Sequence, residues 1–94
     1  MMDVDGGRPR QRRGIELRRD EEGRQSLWDS EGVERCILNE TAAALWELCD
    51  GDTEPAEMVE AICQVCDVTA DQASADVART LTELARADLI EWPA

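Results

Sequence analysis

Before residue 38 the apolar residues of the chain alternate with polar ones, and after it they recur every three or four residues. Ile15 and Leu17 alternate with charged residues, which is the period of a half-buried strand. Two runs of the pattern D-x-E-G, at residues 20–23 and 29–32, place Asp and Gly where a type I turn favours them. The pattern therefore predicts a meander of three antiparallel strands at residues 14–19, 24–28 and 33–38.

The stretch LNETAAALWELCDG, residues 38–51, predicts the first helix. Asn39 is a good N-cap because its side-chain oxygen accepts from an amide of the first turn, and Glu40 places a negative charge at the positive end of the helix dipole. Gly51 suits the end of the helix because it adopts the left-handed conformation freely. One apolar face, at spacings i, i+3, i+4 and i+7, is formed by Ala42, Leu45, Trp46 and Cys49.

Two more helices follow. We predict Thr53 as the N-cap of a helix over residues 54–66, with Pro55 in its first turn. Thr69 and Gln72 match a capping box for a third helix that ends near residue 87. The apolar faces consist of Val59, Ile62, Cys63 and Cys66, and of Ala73, Val77, Leu81 and Leu84. The closing apolar residues Leu89, Ile90 and Trp92 form either a short strand or a plug for the core. The fold class is therefore α+β and winged-helix-like, a three-stranded antiparallel β-meander followed by a three-helix bundle.

The charge distribution limits the partners of this domain. The 94 residues carry a formal charge of −12, with 22 acidic residues and ten Arg, and no Lys or His. Residues 25–94 contain sixteen acidic residues and three Arg, a surface that repels nucleic acid and anionic membranes. Residues 1–13 lack an apolar period and are expected to form a flexible arm, although residues 9–13 could extend along a sheet edge. This segment has no apolar signal region, so we expect a cytoplasmic protein with reduced thiols.

The four cysteines raise the question of a zinc site, because Cys63 and Cys66 form a C-x-x-C pair and Cys36 and Cys49 complete a set of four. The helical spacing of the pair favours buried structural thiols instead, since zinc pairs usually lie on tight turns. No nucleophile lies beside a base, and no glycine-rich phosphate loop is present. The sequence therefore predicts a non-catalytic domain without a metal or another cofactor.

A winged-helix topology on its own would suggest DNA binding. The third helix, which would enter the major groove, carries Arg79 and Arg86 against a larger number of acidic residues. This charge balance is a poor match for a major groove. A non-catalytic regulator that binds protein or DNA remains the alternative function.

The run LNETAAALWELCDG, the pair Asp76-Val77 with Leu81 and Leu84, and the closing Leu89-Ile90 resemble the PqqD family of small peptide-recognition domains. The resemblance covers roughly residues 10–92, which is most of the chain, and departs from the family at Asp88, where we expect a Gly to end the third helix. It implies that the chain binds the leader region of a ribosomally made precursor peptide and presents it to a modifying enzyme, often a radical S-adenosylmethionine (SAM) protein.

The resemblance also implies where the peptide binds. The leader would be added as a strand to residues 33–38, with its side chains in a groove bordered by the third helix. The implied peptide-binding residues are Val33, Glu34, Arg35, Cys36, Ile37, Leu38, Asp76, Val77, Thr80, Leu81 and Leu84. Basic leader residues could pair with Asp76, Glu83 and Glu34. The exposed strand edge could also pair with a second copy, so a homodimer is a further expectation.

Overall fold

Short antiparallel strands precede three helices in the computed structural model, which describes residues 7–92. The sheet strands are β2 (Glu16–Arg19), β3 (Gln25–Trp28) and β4 (Glu34–Leu38). The helices are α1 (Glu40–Leu48), α2 (Pro55–Val65) and α3 (Ala70–Arg86). Two further short strands, β1 (Arg10–Gln11) and β5 (Ile90–Glu91), pair with each other. The predicted meander and three helices are confirmed.

The sheet has the strand order β2-β3-β4, so β2 and β4 are its edges. Both D-x-E-G turns close in the same way. The side chain of Asp20 accepts hydrogen bonds from the amides of Glu22 and Arg24, and its carbonyl accepts from Gly23. Gly23 has φ +88°, a conformation that an L-residue with a side chain rarely adopts. The turn residues therefore fix where β2 ends and β3 begins.

The β3–β4 pairing contains a bulge that the sequence pattern does not indicate. Trp28 is opposite Glu34, but the next pair is Leu27 with Cys36, so Arg35 is the extra residue. Such a residue lies outside the regular alternation of the ladder and can direct its side chain to a new place.

Two of the three N-caps predicted from the sequence are confirmed. Asn39 Oδ1 accepts from Ala42 N at 2.8 Å, and Thr69 and Gln72 form the predicted capping box. The prediction of Thr53 as the N-cap of α2 is wrong: the cap is Glu54, in a capping box with Glu57. Thr53 instead bonds through its amide and hydroxyl to the carboxylate of Asp50, which holds the turn after α1.

The core lies between one face of the sheet and the three helices. Leu27 contributes from the sheet and Leu45 from α1, and both are fully buried. On α2 the most buried residues are Met58 and Ile62, so the helix is rotated slightly from the predicted face, and Val59 and Cys63 are only partly buried. Trp46 and Leu89 complete this interior.

The described part of the predicted N-terminal arm packs against the rest of the chain. Residues 1–6 of it lie outside the described residues. Pro9 is fully buried, and its carbonyl accepts from Gly51 N at 3.0 Å. The backbone N–H of Gln11 donates to Cys49 O, and its side-chain Nε2 donates to Trp46 O, each at 3.0 Å. The structure therefore places residues 9–11 along the end of α1, because their backbone groups find hydrogen-bond partners there.

The backbone at the end of α3 shows how Asp88 occupies the position where a Gly was expected from the family resemblance. Leu89 N bonds to Leu84 O at 2.9 Å and Asp88 N to Ala85 O at 3.0 Å, which are the two bonds of a Schellman motif. Asp88 has φ +65° and is the one non-glycine residue of the described chain with positive φ. Leu89 and Leu84 are both buried, as the hydrophobic contact of this motif requires.

The positive φ of Asp88 leads to a prediction about the stability of the fold. Asp88→Gly is expected to raise the free energy of unfolding by about 0.5–1 kcal/mol, because Gly has no Cβ to clash at positive φ. Asp88→Ala is expected to lower it by a similar amount. Urea denaturation measures both.

Asp88→Asn is the control for charge. It removes the weak ion pair with Arg12, whose atoms are 3.7 Å apart, but keeps a residue that tolerates positive φ. We expect a change within about 0.5 kcal/mol. A Gly variant that is less stable than the wild type would contradict the prediction.

Candidate functional site

Within residues 7–92, no strand pairs with the outer edge of β4. An edge strand presents its outward N–H and C=O groups to any chain that can add a further strand. In this protein the edge of β4 lies beside α3, and residues of both elements line one pocket. The candidate site is this groove between β4 and α3, which we call the β4–α3 groove.

The sheet register shows which peptide group faces the groove. Antiparallel neighbours alternate between hydrogen-bonded and non-bonded pairs. The bond from Asp20 N to Arg24 O, 2.9 Å long, sets this alternation and directs the peptide groups of Ser26 towards β2. Ile37 is the partner of Ser26, so its own N–H and C=O point to the free edge. Consistent with this direction, Cys36 Sγ donates to Ile37 O at 3.6 Å.

The side chains of β4 divide between the two faces of the sheet. Leu38 is buried in the core and Cys36 is partly buried against it. Ile37 and Val33 are 58% and 51% exposed, as predicted for the outer face. Glu34 is held by Arg24, with 3.3 Å between the charged atoms. The backbone of β4 and the side chain of Cys36 therefore face the groove, whereas the Ile37 side chain points outwards.

A pocket of about 160 Å³ lies within the groove. At ~30 Å³ for each molecule of liquid water, this is roughly the volume of five waters, which fits one side chain and not a folded segment. Buried Thr80 and Leu84 contribute from α3. The pocket is lined by Cys36, Ile37, Leu38, Asn39, Ala42, Arg79, Thr80, Glu83 and Leu84.

The predicted α3 residues do not all face this groove. Val77 and Leu81 are buried and line a different cavity, of about 290 Å³, between α2 and α3. Asp76 forms an ion pair with Arg79 at 3.0 Å. Of the five predicted α3 residues, only Thr80 and Leu84 line the β4–α3 pocket. Periodicity alone does not separate the two sides of the helix, because Thr80 and Leu81 are both buried.

Four lining residues were not among the predicted peptide-binding residues: Asn39, Ala42, Arg79 and Glu83. Glu83 was expected only as a charge partner, and Asn39 and Ala42 only as parts of α1. Helical spacing could have indicated two of them. Arg79 directly precedes Thr80, and Glu83 lies one turn after Arg79 on the same side of the helix.

Arg35 has a contact that its predicted role did not include. Its Nη2 donates to Ala87 O, the carbonyl at the end of α3, at 3.3 Å. Its Nη1 is 3.6 Å from Asp29 Oδ2 in the β3–β4 turn. The amide of Val33 is the main cause that lowers the pKa of Asp29, and Glu31 and Arg35 contribute less. Arg35 thus joins the turn before β4 to the end of α3.

Two of the cysteine thiols, those of Cys36 and Cys49, have a raised pKa. Burial, and to a lesser degree the Glu83 carboxylate, raise the pKa of Cys36. Burial raises the pKa of Cys49 to about 12. Within residues 7–92, no three His, Cys, Asp or Glu side chains are grouped so that they could hold a metal ion. No helix in the same residues is long and apolar enough to cross a membrane.

Comparison with known proteins finds one matching family model and several similar solved structures. The model of the family described as coenzyme PQQ synthesis protein D (PqqD) matches residues 27–90. No curated protein sequence matches the chain. One similar solved structure is the PqqD truncation of Methylobacterium extorquens PqqCD, described as a functional and stand-alone recognition element for ribosomally synthesized and post-translationally modified peptides. It is 26% identical, the match covers 97% of this chain and 95% of that chain, and the TM-score is 0.75.

Two similar structures contain a leader peptide. Lasso peptide synthetase B1 with its leader is 24% identical over 89% of this chain and 98% of that chain, with a TM-score of 0.73. TbiB1 in complex with the TbiA(beta) leader peptide is 22% identical, the match covers 90% of this chain and 98% of that chain, and the TM-score is 0.73. At these identities the likeness shows a shared fold.

The contacts of Arg35 predict a role in holding the groove together. Arg35→Ala is expected to lower the free energy of unfolding by about 1 kcal/mol, because it leaves the Ala87 carbonyl without this donor. Hydrogen exchange at Asp88 and Leu89 should become faster at the same time. Arg24→Ala, which removes the exposed pair with Glu34, is the matched control and should cost less than about 0.5 kcal/mol. Equal losses, or unchanged exchange at the end of α3, would show that Arg35 does not connect these elements.

Proposed function

The chain belongs to the PqqD family, and on that premise we propose that it binds the leader region of a ribosomally synthesised precursor peptide and presents it to a modifying enzyme. The leader binds by strand addition, as a fourth strand on the outer edge of β4. In this function the domain is a peptide chaperone in natural product biosynthesis and performs no catalysis itself.

The observation that carries the proposal is the direction of the Ile37 peptide group towards a free edge beside a side-chain pocket. Main-chain hydrogen bonds supply affinity that is independent of sequence. Side chains of an added strand point alternately to its two faces, so every second leader residue would face α3. The pocket of about 160 Å³ accepts one of these side chains and would fix the register of the leader.

Most of the predicted binding residues take one of four roles under this proposal. The backbone of β4 provides the ladder, and Cys36, Leu38, Thr80 and Leu84 form the wall of the pocket. Arg35 maintains the position of α3 relative to β4. Val77 and Leu81 support α3 from the core and make no contact with the leader.

The partner enzyme is proposed from the family and from the neighbouring structures. The fold neighbours include lasso peptide synthetase B1 and the PqqD part of PqqCD, both described in terms of modified-peptide biosynthesis. We propose a radical SAM protein as the partner of this chain. A homodimer through the same β4 edge would compete with the leader, because one edge can accept only one added strand. The DNA-binding alternative has little support from α3, where the Arg79 side chain is engaged by Asp76.

Ile37→Pro tests strand addition directly. The substitution removes an N–H that points to the free edge, while the bonds between β3 and β4 keep their donors. We expect the affinity for a precursor peptide encoded beside this gene to fall at least about fivefold, from the loss of one backbone hydrogen bond. Fluorescence anisotropy of the labelled leader measures the loss.

Ile37→Ala is the matched control. It keeps the amide and shortens a side chain that is 58% exposed, so the affinity should change less than about twofold. Amide shifts on titration should include residues 33–38. Unchanged affinity of the Pro variant, or shifts confined to the helices, would refute strand addition.

A further inference from the structure

The carboxylates beside the β4–α3 groove are not equally available to a ligand. Asp76 is held by Arg79 at 3.0 Å, and Glu34 is held by Arg24 at 3.3 Å. Glu83 also borders the groove, and no cation of residues 7–92 lies within ion-pair distance of it. Of the three carboxylates expected to pair with a basic leader, Glu83 alone remains free.

Glu83 lies inside the groove and not merely near it. It lines the same pocket as Cys36, Thr80 and Leu84. Its charge acts across the groove on the Cys36 thiol, where it adds to the effect of burial in raising the pKa. The walls of the pocket are otherwise mostly uncharged, and Arg79 is the other charged side chain that lines it.

From this arrangement we infer that the leader accepted by this chain carries a Lys or Arg on its α3-facing side, next to the apolar residue that fills the pocket. The inference rests on the proposed function and adds the chemistry of the ligand to it. Glu83 would then be a specificity-determining residue.

The spacing follows from strand geometry. The next side chain on the same face of an added strand is two residues away, about 6.6 Å along the strand at ~3.3 Å per residue. A Lys or Arg has a flexible stem long enough to bring its charge back to a carboxylate at that distance. The positive charge of the leader residue would form an ion pair with the Glu83 carboxylate, while the aliphatic part of that Lys or Arg covers the groove.

Repulsion adds to this selectivity. The chain has a formal charge of −12, so an acidic leader approaches a surface of its own sign. A carboxylate at the position opposite Glu83 would place two like charges side by side without a cation between them. Discrimination against such a partner is a common source of specificity.

The test uses a displayed library of random 15-residue peptides, so that the natural leader need not be known. The library is selected in parallel on the wild type, Glu83→Lys and Glu60→Lys. Peptides enriched on the wild type should carry Lys or Arg two positions from an apolar residue, and those enriched on Glu83→Lys should carry Asp or Glu there. Glu60 is exposed on α2, outside the groove, so Glu60→Lys should keep the wild-type preference.

Affinities of two synthetic peptides from the wild-type selection, differing only by Lys or Glu at that position, quantify the effect. The wild type should bind the Lys peptide about fivefold more tightly, and Glu83→Lys should reverse the order. Glu83→Gln, which keeps the size of the side chain, should bind the two peptides nearly equally.

The outcomes separate this inference from the proposed function. If the preference for Lys or Arg is the same on Glu83→Lys as on the wild type, while Ile37→Pro abolishes binding, Glu83 does not set specificity and strand addition stands. If the selected peptides bind the Ile37→Pro variant as well as the wild type, strand addition itself is wrong, and the inference fails with it.

Discussion

A sheet of three strands, four or five residues long, cannot persist without a second layer, and this constraint shapes the whole domain. Leu27 and Leu38 provide the buried side of the sheet, and Leu45, Trp46 and Leu84 cover it from α1 and α3. β4 lies between the other elements of the domain. It ends directly at the cap of α1, pairs with β3 on one side, and leaves its other side open beside α3. The same packing that stabilises the sheet therefore also builds a groove next to an unpaired edge.

Much of the architecture could be predicted from local sequence signals, because those signals act over a few residues. Asp and Gly at fixed places in two turns determined the meander, and Asn39 and the Thr69–Gln72 pair determined two helix starts. Thr53 was misassigned because the choice between it and Glu54 depends on Asp50, which captures the Thr53 hydroxyl in the folded chain. The packing of residues 9–11 was harder to foresee, since their backbone partners come from the end of α1 and from β5.

The geometry of the candidate site follows from the sequence more directly on β4 than on α3. A strand alternates strictly, so the two faces of β4 follow from Leu38 alone. A helix next to both a core and a groove has two half-buried sides, and sequence periodicity does not say where one ends. Val77 and Leu81 consequently seemed equivalent to Thr80 and Leu84 until the cavity between α2 and α3 separated them. The bulge at Arg35 had no sequence signal, because it reflects how β4 fits its neighbours and not a residue preference.

The pairing of β1 with β5 has a consequence for the wider use of this domain. Arg10 and Glu91 are opposite each other in the ribbon, and their side chains are joined by a 2.6 Å ion pair. The two ends of the fold therefore leave it at one place. A unit with this geometry can be inserted into a surface loop of another protein, since the host chain would only have to bridge the width of two strands. In engineering terms, the domain could be transferred between host proteins as a single insert, because both of its ends lie at the same place.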